Sequence, residues 1–189
     1  MVCISLLLKT KGLYGEEMLR ALQICKESLG PNNPKVATQI NNLGQLLLAT
    51  NRLTEAEPLM RRALQIDENA FGPNHPNVAR DLSNLAVLFQ AMNRLPKAEP
   101  LMRRALRIDE DSFGPTHTNV AIRLNNLALL LNEMNRLAEA EPLVRRAVNV
   151  FEQSLSNDHP KTKVARRNLA VLLEKVASQS EPPVSPEGA

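Results

Sequence analysis

The chain repeats itself every 42 residues. "RLTEAEPLMRRALQIDE" at Arg52–Glu68 returns as "RLPKAEPLMRRALRIDE" at Arg94–Glu110 and, loosened, as "RLAEAEPLVRRAVNVFE" at Arg136–Glu152 (94 − 52 = 42; 136 − 94 = 42). Gly30–Phe71 and Gly72–Phe113 agree at 26 of 42 positions. The register is also kept by Asn42, Asn84, Asn126 and Asn168, and by Ala63, Ala105 and Ala147. A unit of this size cannot bury its apolar face alone, so the period directs the fold toward stacked neighbours.

Each unit reads as two helices. In the first, from about Pro34 to Thr50, Val36, Ile40, Leu43 and Leu47 recur at three- and four-residue steps and form one apolar stripe. Pro34, Pro76 and Pro160 stand where a first helical residue belongs, after Asn33, His75 and His159. Thr118 takes that place in the third unit, which predicts a looser start. The second helix runs from about Thr54 to Phe71, with Thr54 and Glu57 at capping-box spacing and Ala56, Leu59, Met60, Ala63, Leu64 and Ile66 as its buried stripe. Pro58, Pro100 and Pro142 then fall in its first turn, where a missing N–H is tolerated. Gly72 and Pro73 end the helix. With only Asn51-Arg52 between them, the two helices are expected to be antiparallel neighbours.

Composition narrows the class. Leu and Ala outnumber the β-branched residues, which favours helix over sheet. A net charge of +3 is too small to mark a nucleic-acid binder. Cys3 and Cys25 make neither a metal-type spacing nor a disulfide framework, which fits a reducing, cytoplasmic setting. No apolar run is long enough to span a membrane. The expected organisation is an atypical segment 1–13, a repeat array 14–177 and a polar, proline-rich tail 178–189 expected to be disordered. The array comprises a half repeat from Tyr14, three full repeats and a final first-type helix from Pro160. Leu169, Leu172 and Val176 on that last helix are expected to lack a partner, which raises self-association through uncapped ends, or a longer parent array, as alternatives.

The segment "NNLGQLLLATNRLTEAEPLMRRAL", with Leu43-Gly44, Asn51, Ala56 and Ala63, resembles the tetratricopeptide repeat. The 42-residue period and "FGPNHPNVARDLSNLA" are similar to its kinesin-light-chain type. The resemblance covers roughly residues 14–177. It implies an all-α, right-handed α-α superhelix of helix-turn-helix repeats that acts as a non-catalytic scaffold for a protein or peptide partner. Ile40, Leu47 and Leu53 replace the family's larger aromatics, and Asn51 its turn glycine.

Within that resemblance, Asn42, Asn84, Asn126 and Asn168 sit where the first helix of each repeat faces the concave groove. An amide both donates and accepts, so a row of them suits the backbone of an extended peptide. The alternative is that they only bond neighbouring helices. One turn earlier stand Thr38, Arg80, Ile122 and Val164, of which Arg80 alone is cationic. Asp67 and Asp109 fall near positions where light-chain relatives are basic, which makes an acidic-peptide preference less expected here.

The remaining chemistry reads as structure. Glu55 and Glu57 are two apart and point in different directions, whereas Glu57, Glu99 and Glu141 each precede an arginine by four. His75, His117 and His159 are one repeat apart, too far to share a zinc ion. The arginine pairs at 61-62, 103-104 and 145-146 sit beside glutamates on the second helix, so no nucleic-acid partner is expected, and no cofactor either.

Overall fold

The computed structural model describes Arg20 and residues 22–180. The expectations for residues 1–13, for the start of the half repeat and for 181–189 lie outside the described residues. Among the described residues the fold is all helical. They fall into two compact units that divide between Ile108 and Asp109. The first holds α1 (residues 22–29), α2 (Pro34–Ala49), α3 (Leu53–Phe71), α4 (Pro76–Ala91) and α5 (Leu95–Phe113) as far as Ile108. The second holds the end of α5, then α6 (Thr118–Glu133), α7 (Leu137–Ser154) and α8 (Pro160–Ser180).

Caps set the helix starts. Asn33 accepts from the Lys35 N–H at 2.9 Å, and His75, His117 and His159 accept through Nδ1 from Asn77, Asn119 and Lys161 at 3.1, 3.1 and 3.2 Å. An imidazole that accepts through Nδ1 carries its proton on Nε2. The cap explains why α6 begins at Thr118 without a proline and is still 16 residues long, like α2 and α4. Phe71 stacks on His75 and Phe113 on His117, with centroids 4.5 and 4.6 Å apart, which holds each capping ring in place.

The turns inside each repeat follow one design. Asn51, Asn93 and Asn135 adopt φ of 60°, 56° and 57°, and the next N–H in each case bonds back five residues, as in Arg94 N to the Phe89 carbonyl at 2.8 Å. This left-handed step moves the following helix start forward. α3 begins at Leu53, its N-cap Arg52 makes no side-chain cap, and Thr54 lies inside the helix. The expected Thr54–Glu57 capping box therefore does not form; Arg52 instead pairs with Glu55 at 2.6 Å. For the same reason Pro58 is the sixth helical residue and not in the first turn.

The stripes pack as the periodicity predicts. Val36, Ile40, Leu43 and Leu47 are at most 7% exposed, and so are Ala56, Met60, Ala63 and Ile66 of α3, whereas Leu59 and Leu64 are only half-buried. A Cβ on Gly44 would stand 2.8 Å from Met60 Cγ, so glycine lets α2 approach α3 closely. In the first unit Val78, Ala79 and Leu82 of α4 close a core with Ala105 and Ile108 of α5, Leu64 and Leu101 packing alongside. Burying each large aliphatic side chain contributes about 1.5–3 kcal/mol. α8 runs to Ser180, three residues past the expected end at Ala177, and Gln179 bonds to Asn135 Oδ1 at 2.9 Å. Residues 178–180 are thus helical and not tail. Of the three residues expected to lack a partner, Leu172 is 3% exposed, and Leu169 and Val176 are half-buried.

Candidate functional site: two amide-lined faces

In the first unit, α2 and α4 lie side by side and share one polar line. Asn84 Nδ2 donates to Asn41 Oδ1 at 3.1 Å, and Asn41 Nδ2 donates to Asp81 Oδ1 at 2.6 Å. Asn41 is 2% exposed, while its neighbour Asn42 is exposed and makes no hydrogen bond among the described residues. Asn84 borders a shallow hollow of about 340 Å³ with Gln45, Leu48, Ala49 and Val87. Its Oδ1 remains open to a donor. The Thr38 hydroxyl turns back to the Pro34 carbonyl at 3.2 Å.

Arg80, the cation singled out in this row, is engaged in the fold. Its Nε lies 3.1 Å from Asp81 Oδ1 and its Nη2 3.1 Å from Asp67 Oδ2, and the side chain is 36% exposed. Asp67 and Asp81 are themselves 0% and 1% exposed. Burial pushes both carboxyls above the usual carboxylate range, Asp81 to about 7, with Arg80 opposing the shift.

The second unit repeats the arrangement on α6 and α8. Asn168 Nδ2 donates to Asn125 Oδ1 at 2.9 Å, the same 43-residue step as Asn84 to Asn41. Asn126 makes no hydrogen bond and borders a hollow of about 320 Å³ together with Ile122, Asn125, Phe151, Lys161 and Val164. Val164 and Val171 stay 46% exposed. Asp109 is 1% exposed and takes a hydrogen bond from Arg123 Nε at 2.8 Å. With Asp67 and Asp109 both buried, neither carboxylate sets the surface charge of these faces.

The four register asparagines therefore divide. Asn42 and Asn126 are unengaged, whereas Asn84 and Asn168 each spend one donor on the adjacent helix. The sequence reading missed the acceptors, Asn41 and Asn125. Their signal was the "NN" doublet at 41-42 and 125-126, where only the second member recurs in all four repeats.

On the second helices, the outer charges are ties. Arg61 bonds Glu57 at 3.0 Å, Arg103 bonds Glu99 at 2.8 Å and Arg145 bonds Glu141 at 2.8 Å, each at the expected four-residue step. The second arginine of each pair reaches back one repeat. Arg104 donates to the Pro73 carbonyl at 2.7 Å and pairs with Glu68, and Arg146 donates to the Pro115 carbonyl at 3.2 Å and pairs with Glu110. Among the described residues no cluster of three or more metal-ligating side chains occurs, and no helix is long and apolar enough to cross a membrane.

Known proteins share this fold. The chain aligns over 89% of its length with the nearly identical TPR-like repeats of a Podosopora anserina kinesin light chain, covering 80% of that chain at 18% identity, with a TM-score of 0.74, and 0.75 for a point variant of it. BtubC (BKLC) from P. vanneervenii aligns over 96% of this chain and 78% of its own, at 20% identity and a TM-score of 0.72. The Sgt2 TPR domain from Aspergillus fumigatus aligns over 81% and 90%, at 20% identity and 0.59. At such identities the likeness is one of fold. A search of curated proteins finds no match. The tetratricopeptide repeat model matches residues 16–69, 38–111, 82–153 and 119–180. Motif, turn geometry and helix pairing agree with that match, and the chain belongs to the tetratricopeptide repeat family.

Proposed function

We propose that the chain is a non-catalytic protein-interaction scaffold and that each unit offers a segment of partner peptide one amide-lined face. In the first unit the face is formed by Asn42 and Asn84, with Thr38 and Arg80 at one end. In the second it is formed by Asn126 and Asn168. The observation that carries this reading is the hollow beside Asn126. An unengaged amide stands there over Ile122, Phe151 and Val164, with Lys161 alongside. A peptide backbone needs donors and acceptors spaced along an apolar floor, and these residues supply both. Membership of a family whose repeats generally bind proteins supports the same reading. Arg80 contributes less than its charge implies, because Asp67 and Asp81 already hold it.

The test is a peptide selected from a displayed random library on the wild-type chain, then titrated against Asn84→Ala/Asn126→Ala. Loss of one net hydrogen bond of about 1 kcal/mol per amide weakens binding roughly tenfold or more. Unchanged affinity in a variant with native circular dichroism would place the binding surface elsewhere.

A further inference from the structure

Asp67 on α3 and Asp81 on α4 form a buried pair with too few donors. Asp81 Oδ1 accepts from Asn41 Nδ2 at 2.6 Å and Arg80 Nε at 3.1 Å, and Asp67 Oδ2 accepts from Arg80 Nη2 at 3.1 Å. Asp67 Oδ1 and Asp81 Oδ2 are buried and receive nothing. Buried oxygens are rarely left this way. The two carboxyls share the single guanidinium of Arg80, and the charge of Asp67 pushes Asp81 further up than burial alone does.

The second unit supplies an internal comparison. The register position of Asp81 holds Arg123 there (81 + 42 = 123), and Asp109, the counterpart of Asp67 (67 + 42 = 109), pairs with that arginine. Asp109 Oδ1 is likewise buried without a donor, so what distinguishes the second unit is its charge: one acid meets one cation, and no second carboxyl is present at that position. The first unit thus carries one acid more than its counterpart, in a place where water does not reach.

We propose that Asp67 and Asp81 form a proton-operated latch between α3 and α4, closed by one shared proton and opened by its loss. Burial raises both carboxyls and the charge of Asp67 raises Asp81 further, to about 7, so the pair as a unit holds one proton. Burial is the largest cause for both; Arg80 works against it in each, His75 works against it at Asp67, and the charge of Asp67 reinforces it at Asp81. Asn41, from α2, is uncharged. An unfolded aspartate titrates at about 3.9, well below the folded Asp81 at about 7. Between those values the folded state holds more protons than the unfolded one, so stability falls as pH rises. The contribution is complete below about 4 and gone above about 7. Above that window two negative charges share one arginine in a buried seam. Because Asn41 also accepts from Asn84, the latch and the amide of the α2–α4 face meet at one residue.

The experiment is a carboxyl-carbon NMR titration of the full chain from pH 4 to 9, with urea unfolding at pH 5 and pH 8 for wild type and Asp81→Asn. The expected result is one aspartate titrating near pH 7 and a urea midpoint that drops from pH 5 to pH 8. Asp81→Asn loses that drop, since its amide takes on no charge as pH rises. The three histidines are common to both proteins, so the difference between their pH profiles isolates the pair. Should Asp81→Asn fail to fold, Asp67→Asn serves: with the neighbouring charge gone, the remaining carboxyl moves down toward the ordinary range. Both carboxyls titrating below pH 5, or an equal drop in wild type and Asp81→Asn, would overturn the proposal.

Discussion

The guanidinium of Arg104 holds the Pro73 carbonyl at 2.7 Å and Glu68 at 2.8 Å, tying α5 to the end of α3 and the linker that leaves it, one repeat earlier. Arg146 does the same to Pro115 and Glu110, so the tie is part of the repeat. Arg104→Ala should lower the unfolding free energy by about 1 kcal/mol, because the group is only partly exposed and bonds a carbonyl as well as a carboxylate. Urea unfolding checks it. Arg103→Ala, which removes a four-residue surface pair, should cost less, about 0.5 kcal/mol or under.

Asn93 at φ 56° is the left-handed residue that closes α4. Asn93→Gly should be near neutral, while Asn93→Ala should cost about 1 kcal/mol from the steric penalty of a Cβ in that region. Thermal unfolding of the two variants separates them. Equal melting temperatures would mean that the turn relaxes to another conformation.

These turns also show what the sequence could reveal and what it could not. Period and stripe located α2 to α8 to within a few residues, because apolar spacing and proline placement are local signals. The Glu57–Arg61 pair was equally legible for the same reason. The starts of the second helices were read a residue late. Thr54 and Glu57 have the spacing of a cap, but the positive φ of Asn51 had already begun the helix at Leu53. Asp67 was read as a groove charge from its place in the resemblance to light-chain relatives, and that place does not carry its burial. Its partner Arg80 lies 13 residues on, and in the second unit the spacing from Asp109 to Arg123 is 14, so no fixed motif announces the pair. The recurring asparagines were found, but their acceptors break register at Ser83 and Arg167.

His75 caps α4 through Nδ1 and stacks on Phe71. His75→Asn should keep the cap, since Asn33 does that work for α2, whereas His75→Ala should lose about 1 kcal/mol. Urea midpoints compare the two. An alanine variant as stable as the asparagine one would show that the cap contributes little.

Gly44 faces Met60, which is 1% exposed and has no room to retreat. Gly44→Ala therefore should destabilise the first unit by about 1–3 kcal/mol despite alanine's better helix propensity. Adding Met60→Ala relieves the clash and should bring a sub-additive double-variant cost in the same unfolding assay.

The binding account turns on which amides a partner touches. Titrating a library-selected peptide into ¹⁵N-labelled chain and following the asparagine side-chain NH₂ signals reads this directly. The account predicts shifts at Asn42, Asn84, Asn126 and Asn168 while Asn69 of α3 and Asn149 of α7, both exposed on second helices, stay in place. Shifts at Asn69 and Asn149 with the four register amides unmoved would contradict it.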